Sequence, residues 1–499
     1  MLYYSYINNG SREFIMNYVS TALNIVLLLN ILLAIFVVFR ERRDASSTWA
    51  WLLVLFFIPI LGFGLYLLFG QNLKRQHLFQ WDDQKKIGLK EMILEQVKEL
   101  KAGTYPFQNE SSQKHFDLIY MHLMNNGALL SEDNDVTIFT DGQEKFSNLL
   151  RDIREAKHFI HLQYYIIKND RLGNEVLAEL TRKAKEGVKV RVLYDELGSR
   201  SLTLSNKALV ALKKAGGEVE VFFPSKFHLI NLRLNYRNHR KLVIIDGNIG
   251  YVGGFNVGDE YLGLNPKFGY WRDTHLRVTG SAVYSMQIRF ILDWNQASYR
   301  HDISYEPSLF PEFKQTGNVG MQIVTSGPDS EWEQIKQGYI KLILSAKKSI
   351  LVQTPYFIPD ASLLDALRIA CLTGKDVKIM IPNKPDHVFV YWATYSHIGL
   401  LLEAGAKVYI YDNGFIHAKT IIIDEEVSSV GTANIDMRSF RLNFEVNAFI
   451  YSNEVSQKLS ESFAQDLKLS RQLTMEDYQK RSLKIRFKES ISRLLSPIL

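Results

Sequence analysis

The sequence predicts an α/β protein of two repeated lobes behind an N-terminal apolar hairpin. Three observations carry that reading. Two uncharged apolar runs of 22 residues each, Tyr18 to Phe39 and Thr48 to Phe69, come first. From Val136 onward, strand-length apolar runs alternate with helical patterning, in two passes. One signature then occurs in each pass. The first copy is Asn238-His239-Arg240-Lys241-Leu242-Val243-Ile244-Ile245-Asp246, followed by Gly253-Gly254-Phe255-Asn256. The second is His417-Ala418-Lys419-Thr420-Ile421-Ile422-Ile423-Asp424, followed by Gly431-Thr432-Ala433-Asn434. Both place Lys at His+2, Asp at His+7, Gly at His+14 and Asn at His+17. A single His-x-Lys-x4-Asp arises by chance; agreement at five positions in two copies marks an internal repeat.

The 499 residues suffice for two or three domains with full cores. A hydrophobic content of 46% excludes a disordered or collagen-like chain. The net charge of +6 is small for a nucleic-acid binder and compatible with an anionic membrane surface. Cys371, the one cysteine, excludes an intrachain disulfide; its apolar surroundings suit packing rather than chemistry.

Each opening run is long enough for one membrane-spanning helix, about 20 residues. Residues 40–47 join them as a short turn between antiparallel helices, and Trp49, Trp51 and Tyr66 suit an interfacial aromatic belt. A signal peptide fits badly, because a second apolar run follows at once. Residues 1–75 are therefore expected to form a two-span hairpin in the cell membrane, with helices at about 18–39 and 48–69. Arg40, Arg42 and Arg43 in the turn are set against Arg12, Lys74, Arg75, Lys85 and Lys86 on the other side, which leans toward a cytoplasmic globular part. Residues 76–130 are charged with mixed helical patterning and read as a connector lying on the globular part.

The lobes follow at 131–305 and 306–470. Strands are expected at Val136–Phe139 and Met321–Val324, at Phe159–Tyr165 and Ser349–Tyr356, and near Val188–Val192 and Val377–Ile379, with short edge strands at Val219–Val221 and Lys407–Ile410. Apolar strands alternating with helices imply a sheet covered on both faces. Residues 471–499 form a basic amphipathic tail. Leu483, Phe487, Ile491, Leu494, Leu495 and Ile498 recur at helical spacing among Lys480, Arg481, Lys484, Arg486, Lys488 and Arg493. That pattern fits either a membrane-surface helix or one packed on the lobes.

The apolar run between Lys and Asp in each copy wants to be a buried strand, with His and Lys on one face at its start. Two such strands side by side set His239, Lys241, His417 and Lys419 around one pocket. The set suits phosphoryl transfer on a diester. One imidazole attacks phosphorus and the other protonates the leaving alkoxide. The lysines neutralise the non-bridging oxygens, and Asn256, Asn434 and Thr432 are candidates to hydrogen-bond there. Each imidazole needs an acceptor on its other nitrogen, and Glu445 and Asp273 are placed to serve. Asp246 and Asp424 complete the repeated motif; their place at the ends of the strands suits bracing turns. His-x-Lys puts a cation where a second metal ligand would sit, so no metal is expected. His158 and His161 lack ligand-spaced companions and read as structural.

The duplicated His-x-Lys-x4-Asp stretches resemble those of the phospholipase D superfamily. The hairpin, the run Gly431 to Ser439 and the tail ending Ser492-Arg493-Leu494-Leu495-Ser496-Pro497 resemble bacterial cardiolipin synthases. The one departure is Gly254 where the second copy has Thr432. The resemblance implies two pseudo-twofold-related phospholipase D-like lobes. It also implies conversion of two phosphatidylglycerols to cardiolipin plus glycerol through a phosphatidyl-histidine, without a cofactor. In that pattern His239 is the nucleophile, paired with Glu445, and His417 the acid/base, paired with Asp273. Hydrolytic phospholipase D, phosphatidylserine synthesis, a membrane-anchored nuclease and a non-catalytic scaffold are the alternatives. Weak net charge and the absence of an aromatic-basic module argue against nucleic acid. Two intact motifs argue against a scaffold. The expected partners are phosphatidylglycerol and anionic membrane lipid, with homo-oligomerisation left open.

Overall fold

The structure is a computed structural model that describes residues 16–22, 24–35, 45–69, 78–79, 85–86, 88–204, 207–224, 235–298, 301–312 and 317–494. The chain divides into two compact units, residues 1–75 with 225–235, and 76–224 with 236–499.

In the first unit, the helix Met16–Ile35 is 20 residues long and apolar enough to cross a membrane. The expected end of that run at Phe39 and the basic turn at 40–44 lie outside the described residues. The second run is not the straight 22-residue helix expected over Thr48 to Phe69. It is two helices, Ala45–Phe57 and Pro59–Phe69, that fold back on each other. Pro59 accounts for the break, because proline has no N–H to donate within a helix and disfavours helical backbone at the residue before it. The rings of Trp51 and Tyr66 lie 5.1 Å apart edge to face, whereas 15 residues of straight helix would separate them by about 22 Å. A Cβ on Gly62 would sit 2.7 Å from the Val54 carbonyl oxygen, so glycine permits this close approach. Tyr66, with Leu55, is buried in a small cluster packed by Leu33 and Trp51. Trp51 and Tyr66 therefore clasp the bend. At 13 and 11 residues, about 20 and 17 Å, neither half spans a hydrocarbon core of about 30 Å.

The second unit is built on one large mixed sheet. The strands of the unit are β1 Ser131–Phe139, β2 Phe159–Tyr164, β3 Lys189–Asp195, β4 Glu218–Phe222, β5 Arg237–Asn238, β6 Leu242–Ile245, β7 Ile249–Gly253, β8 Trp271–Arg272, β9 His275–Thr279, β10 Val319–Ser326, β11 Ser349–Gln353, β12 Phe357–Ile358, β13 Asp376–Pro382, β14 Lys407–Tyr411, β15 Phe415–Ile416, β16 Thr420–Ile423, β17 Val427–Gly431, β18 Ile435–Asp436, β19 Asn443–Tyr451 and β20 Ser470–Leu473; β8 with β15 and β12 with β18 form two small separate sheets, and the rest belong to the large one. The order β1-β9-β7-β6-β2-β3-β4 in the first half repeats as β10-β19-β17-β16-β11-β13-β14 in the second. Antiparallel pairing of β1 with β10 fuses the halves. The repeat extends to register: Gly253 opposes His275 on β9 as Gly431 opposes Asn447 on β19. β6 and β16 are wholly buried, as their unbroken apolar sequences require.

Two expectations are corrected. Lys407–Tyr411 is not an edge strand, because β20 pairs antiparallel beyond it. The tail boundary at 471 accordingly moves: Arg471, Gln472 and Leu473 belong to the sheet. Only Leu473 of that strand is buried, so Ser-Arg-Gln-Leu carries no strand signal. The connector lies on the second lobe. Its helices Leu89–Ala102 and Phe116–Asn126 put Leu100, Leu118, Ile119 and Leu123 into the core of the second lobe. Gln322 on β10 donates to the carbonyls of Ile119 and Ala128 at 3.1 and 2.7 Å.

Candidate active site

Backbone pairing across the two lobes sets the site. β5, just before His239, pairs in parallel with the start of β19, and His239 N–H donates to the Phe444 carbonyl at 2.9 Å. Glu445 is the next residue. Likewise β15, just before His417, pairs in parallel with β8, and His417 N–H donates to the Arg272 carbonyl at 2.7 Å. Asp273 is the next residue. Each imidazole is thereby delivered to the other lobe's carboxylate. His239 Nδ1 lies 2.9 Å from Glu445 Oε2, and His417 Nδ1 lies 2.6 Å from Asp273 Oδ2. With Nδ1–H donating to carboxylate, Nε2 of each ring is left for chemistry.

The lysines sit behind the imidazoles. Lys241 Nζ donates to the His239 carbonyl at 2.7 Å, and Lys419 Nζ to the His417 carbonyl. Lys419 Nζ is also 2.9 Å from His417 Nδ1. The lysines and carboxylates are buried, while each histidine keeps 8% exposure.

Gly254 and Thr432 differ because the carboxylates differ. Thr432 Oγ1 donates to Glu445 Oε2 at 2.6 Å and accepts from the Val446 N–H at 2.9 Å. Asn443 Nδ2 donates to Glu445 Oε1 at 3.2 Å. In the other lobe the shorter Asp273 brings its carboxylate back onto position 254. A Cβ there would overlap Asp273 Oδ1, and only glycine fits. Asp273 Oδ1 is held instead by the Thr274 N–H at 2.7 Å. Thr432 is thus a brace for Glu445.

Burial dominates the electrostatics. It pushes His239 down to about 4 against the pull of Glu445, and it lowers His417 too, helped by Lys419. Lys241 falls to about 7 and Lys419 to about 8, again chiefly from burial. Burial alone would lift the carboxyls. His239, Lys241 and the Thr432 hydroxyl hold Glu445 below its usual value, and Lys419 with His417 does the same for Asp273. Burial thus favours the neutral imidazoles, and the surrounding cations favour the ionised carboxylates. Each lysine also acts on the other lobe's group: Lys419 on His239, and Lys241 on His417. The four form one electrostatic unit.

Other expected site residues lie elsewhere. Asp246 and Asp424 are at the far ends of β6 and β16 from the histidines. Asp246 accepts the backbone N–H groups of Lys157, His158 and Phe159 at 2.7, 2.7 and 2.8 Å. Asp424 accepts those of Lys347, Lys348 and Ser349 at 2.6, 2.8 and 2.7 Å. Both have left-handed backbone, with φ of 51° and 53°. They anchor the turns into β2 and β11, and no bond of theirs reaches the histidines among the described residues. Asn256 is tied by Oδ1 to the Ile166 N–H at 3.1 Å and by Nδ2 to Tyr261 Oη at 3.2 Å. The Asn434 side chain bonds Asp436, and its Oδ1 is buried without a partner among the described residues. His161 is structural: its ring stacks on Phe290 and bonds Gln287 at 3.0 Å.

The sequence reading missed the struts. Arg240 Nη1 meets both oxygens of Asp293 at 2.7 and 2.8 Å, and its Nε donates to the Glu445 carbonyl at 3.1 Å. Arg272 meets Asp466 at 2.8 to 3.1 Å. Gln163 Nε2 and Gln353 Nε2 reach the same two aspartates at 2.6 and 2.8 Å. Matching residues signal this: Gln163 and Gln353 on repeated strands, and Phe-x-x-Asp at 290–293 and 463–466. Aromatic walls were missed as well. Tyr165 stands edge-on to His239 at 4.9 Å, and Trp271 lies 5.2 Å from His417.

A family model described as "Cardiolipin synthase, PLD-like domain" matches residues 149–268 and 339–467, one stretch in each lobe. A second, "Phospholipase_D-nuclease N-terminal", matches 28–71. The major cardiolipin synthase ClsA of Bacillus subtilis is 68% identical over 96% of this chain and 99% of its own length. The chain belongs to the bacterial cardiolipin synthase family, within the phospholipase D superfamily. A cardiolipin synthase of Listeria monocytogenes is 59% identical over 95% of this chain and 98% of its own. Among solved structures, a phosphatidylserine synthase of Haemophilus influenzae covers 78% of this chain and 100% of its own at a TM-score of 0.60 and 17% identity, a likeness of fold. Membership accounts for the paired lobes and the doubled motif.

Proposed function

We propose that the protein joins two phosphatidylglycerols into cardiolipin and releases glycerol. One observation carries the reading: each lobe's histidine is held by the other lobe's carboxylate, with two lysines behind them. His239 Nε2 attacks phosphorus of the first lipid, and the P–O bond to its glycerol headgroup breaks. The departing oxygen takes a proton from His417 Nε2. His239 as nucleophile is what the likeness to the phospholipase D superfamily implies; Glu445, fixed by Thr432 and Asn443, holds it in the tautomer that bares Nε2. His417 is neutral at rest, and the arriving phosphodiester anion favours its imidazolium. In the second half, a glycerol hydroxyl of another phosphatidylglycerol gives its proton to His417 and attacks the phosphatidyl-histidine, freeing His239. Lys241 and Lys419 neutralise the non-bridging oxygens as charge builds there. Burial of the lysines and carboxylates behind the histidines limits water at the phosphorus and favours the lipid alcohol. Purified protein incubated with phosphatidylglycerol in mixed micelles should yield cardiolipin and glycerol in equal amounts; phosphatidic acid alone would make it a hydrolase.

The same reading places the first unit in the cell membrane through one crossing, Met16–Ile35, with the bent run Ala45–Phe69 entering and leaving by one face. Then Arg40, Arg42, Arg43, Lys74, Arg75, Lys85 and Lys86 share one side, against Arg12 on the other. The excess of basic residues puts that side, and the catalytic lobes, in the cytoplasm.

A further inference from the structure

The tail helix Leu483–Leu494 is oriented inside out for a helix packed on a soluble domain. Its neighbour is the helix Val388–Glu403. Toward the body it turns Ile485, half-buried, with Glu489 and Ser492, both buried. Glu489 is clamped there by both of its oxygens, each 2.8 Å from Arg481 Nη1. Tyr478, just upstream, packs its ring on Gly399 and donates to the Tyr395 carbonyl at 3.0 Å, which fixes the helix against its neighbour. The apolar stripe faces away. Leu483 is 81% exposed, Phe487 68%, Ile491 42% and Leu494 74%. At about 100° per residue, these four fall within an arc of about 80°, nearly opposite the packed face. Lys484 and Lys488 flank the stripe on one side, Arg486 and Arg493 on the other. The first turn of the neighbouring helix adds Val388 and Phe389, 59% and 55% exposed. That turn starts two residues after Asp386, whose charge reaches Lys419.

We propose that this face is a docking surface for an anionic phospholipid bilayer, with the apolar stripe lying at acyl-chain level and the flanking cations among the headgroups. An ordinary packed helix buries its apolar stripe. Here the body is bound through Glu489 and Ser492, and the stripe is presented together with two rows of positive charge, the pattern of an interfacial helix. A lone apolar stripe would suit a protein groove equally well. The cations on both flanks, with one acidic residue in the helix and that one buried in an ion pair, select a negatively charged surface. The surface also adjoins the end of the helix that approaches the site, so docking would bring the site toward headgroup depth. The proposal rests on the lipid-transferase reading only for why the site should be brought there; its test does not require turnover.

The experiment uses the full-length protein in a Cys371→Ser background with Phe487→Cys carrying an environment-sensitive fluorophore. A second labelled protein, Lys458→Cys on the helix Asn453–Lys468, serves as the control. Each is reconstituted in vesicles of phosphatidylcholine with and without phosphatidylglycerol, and in detergent. A His239→Ala change keeps the lipid composition constant. The 487 label should shift to the blue and be quenched by shallow nitroxide-labelled lipid in the anionic vesicles, several-fold more than in phosphatidylcholine alone. Lys484→Gln with Lys488→Gln should remove most of that difference, while the control label stays unchanged. A 487 signal identical in anionic vesicles and detergent would overturn the proposal. So would a shift that follows protein concentration instead of lipid, since the occupant would then be a second copy. In the active protein, Leu483→Ser with Phe487→Ser should slow turnover of vesicle-embedded phosphatidylglycerol several-fold and spare that of short-chain lipid in micelles; equal loss on both would also count against it.

Discussion

At the residue scale, the two halves of the site are alike in plan and different in bracing. Thr432→Val keeps the shape and removes the hydroxyl from Glu445, leaving a buried carboxylate oxygen short of a partner. A deficit of about 1–3 kcal/mol corresponds to a fall in turnover of about fivefold to 150-fold, read from steady-state rates with the fold checked by circular dichroism. Gly254→Ala should be worse for its size, because the added methyl displaces Asp273. Asp246→Asn is expected to act on stability instead. It exchanges three charge-assisted hydrogen bonds for weaker ones and should lower unfolding free energy by about 2 kcal/mol, with near-normal kcat for the folded enzyme. The lysines set a pH limit. Lys241, near 7, and Lys419, near 8, lose their charge as pH rises through those values. The free enzyme's attraction for a phosphodiester anion falls with it, so kcat/KM should decline above about pH 7. Lys241→Arg should move that decline to higher pH.

At the element scale, hydrophobic pattern revealed most strands and concealed three features. β6 and β16 were legible because the β-branched and apolar runs Leu-Val-Ile-Ile and Thr-Ile-Ile-Ile between Lys and Asp suit a buried strand. β20 was not, since Ser470, Arg471 and Gln472 are partly or largely exposed and only its pairing with β14 makes it a strand. The bend at Pro59 was present in the sequence but overridden by the unbroken apolar length around it. The short pairings of β5 with β19 and β15 with β8 span two residues each and carry no periodic signal, yet they decide which carboxylate meets which histidine. Topology reporters fused after residue 44 and after residue 75 test the bent element. The single crossing places both reporters in the cytoplasm, whereas a two-span hairpin puts the first outside.

At the scale of the whole molecule, one repeated unit makes one site. The doubled motif announced the shared pocket, but its supports come from residues outside the signature. Arg240 and Arg272 carry the connection across the lobes, to Glu445 and Ser326 in one case and Asp466 in the other. Neither half can hold its own histidine in the right tautomer. The division of labour between His239 and His417 is the central claim, and trapping of the covalent intermediate tests it most directly. With phosphatidylglycerol labelled in its phosphatidyl part and rapid acid quench, His417→Ala should accumulate label on the protein, because its intermediate forms slowly and resolves more slowly still. His239→Ala should show none. Label retained in the His239 variant at the level of the unmodified enzyme would contradict the account.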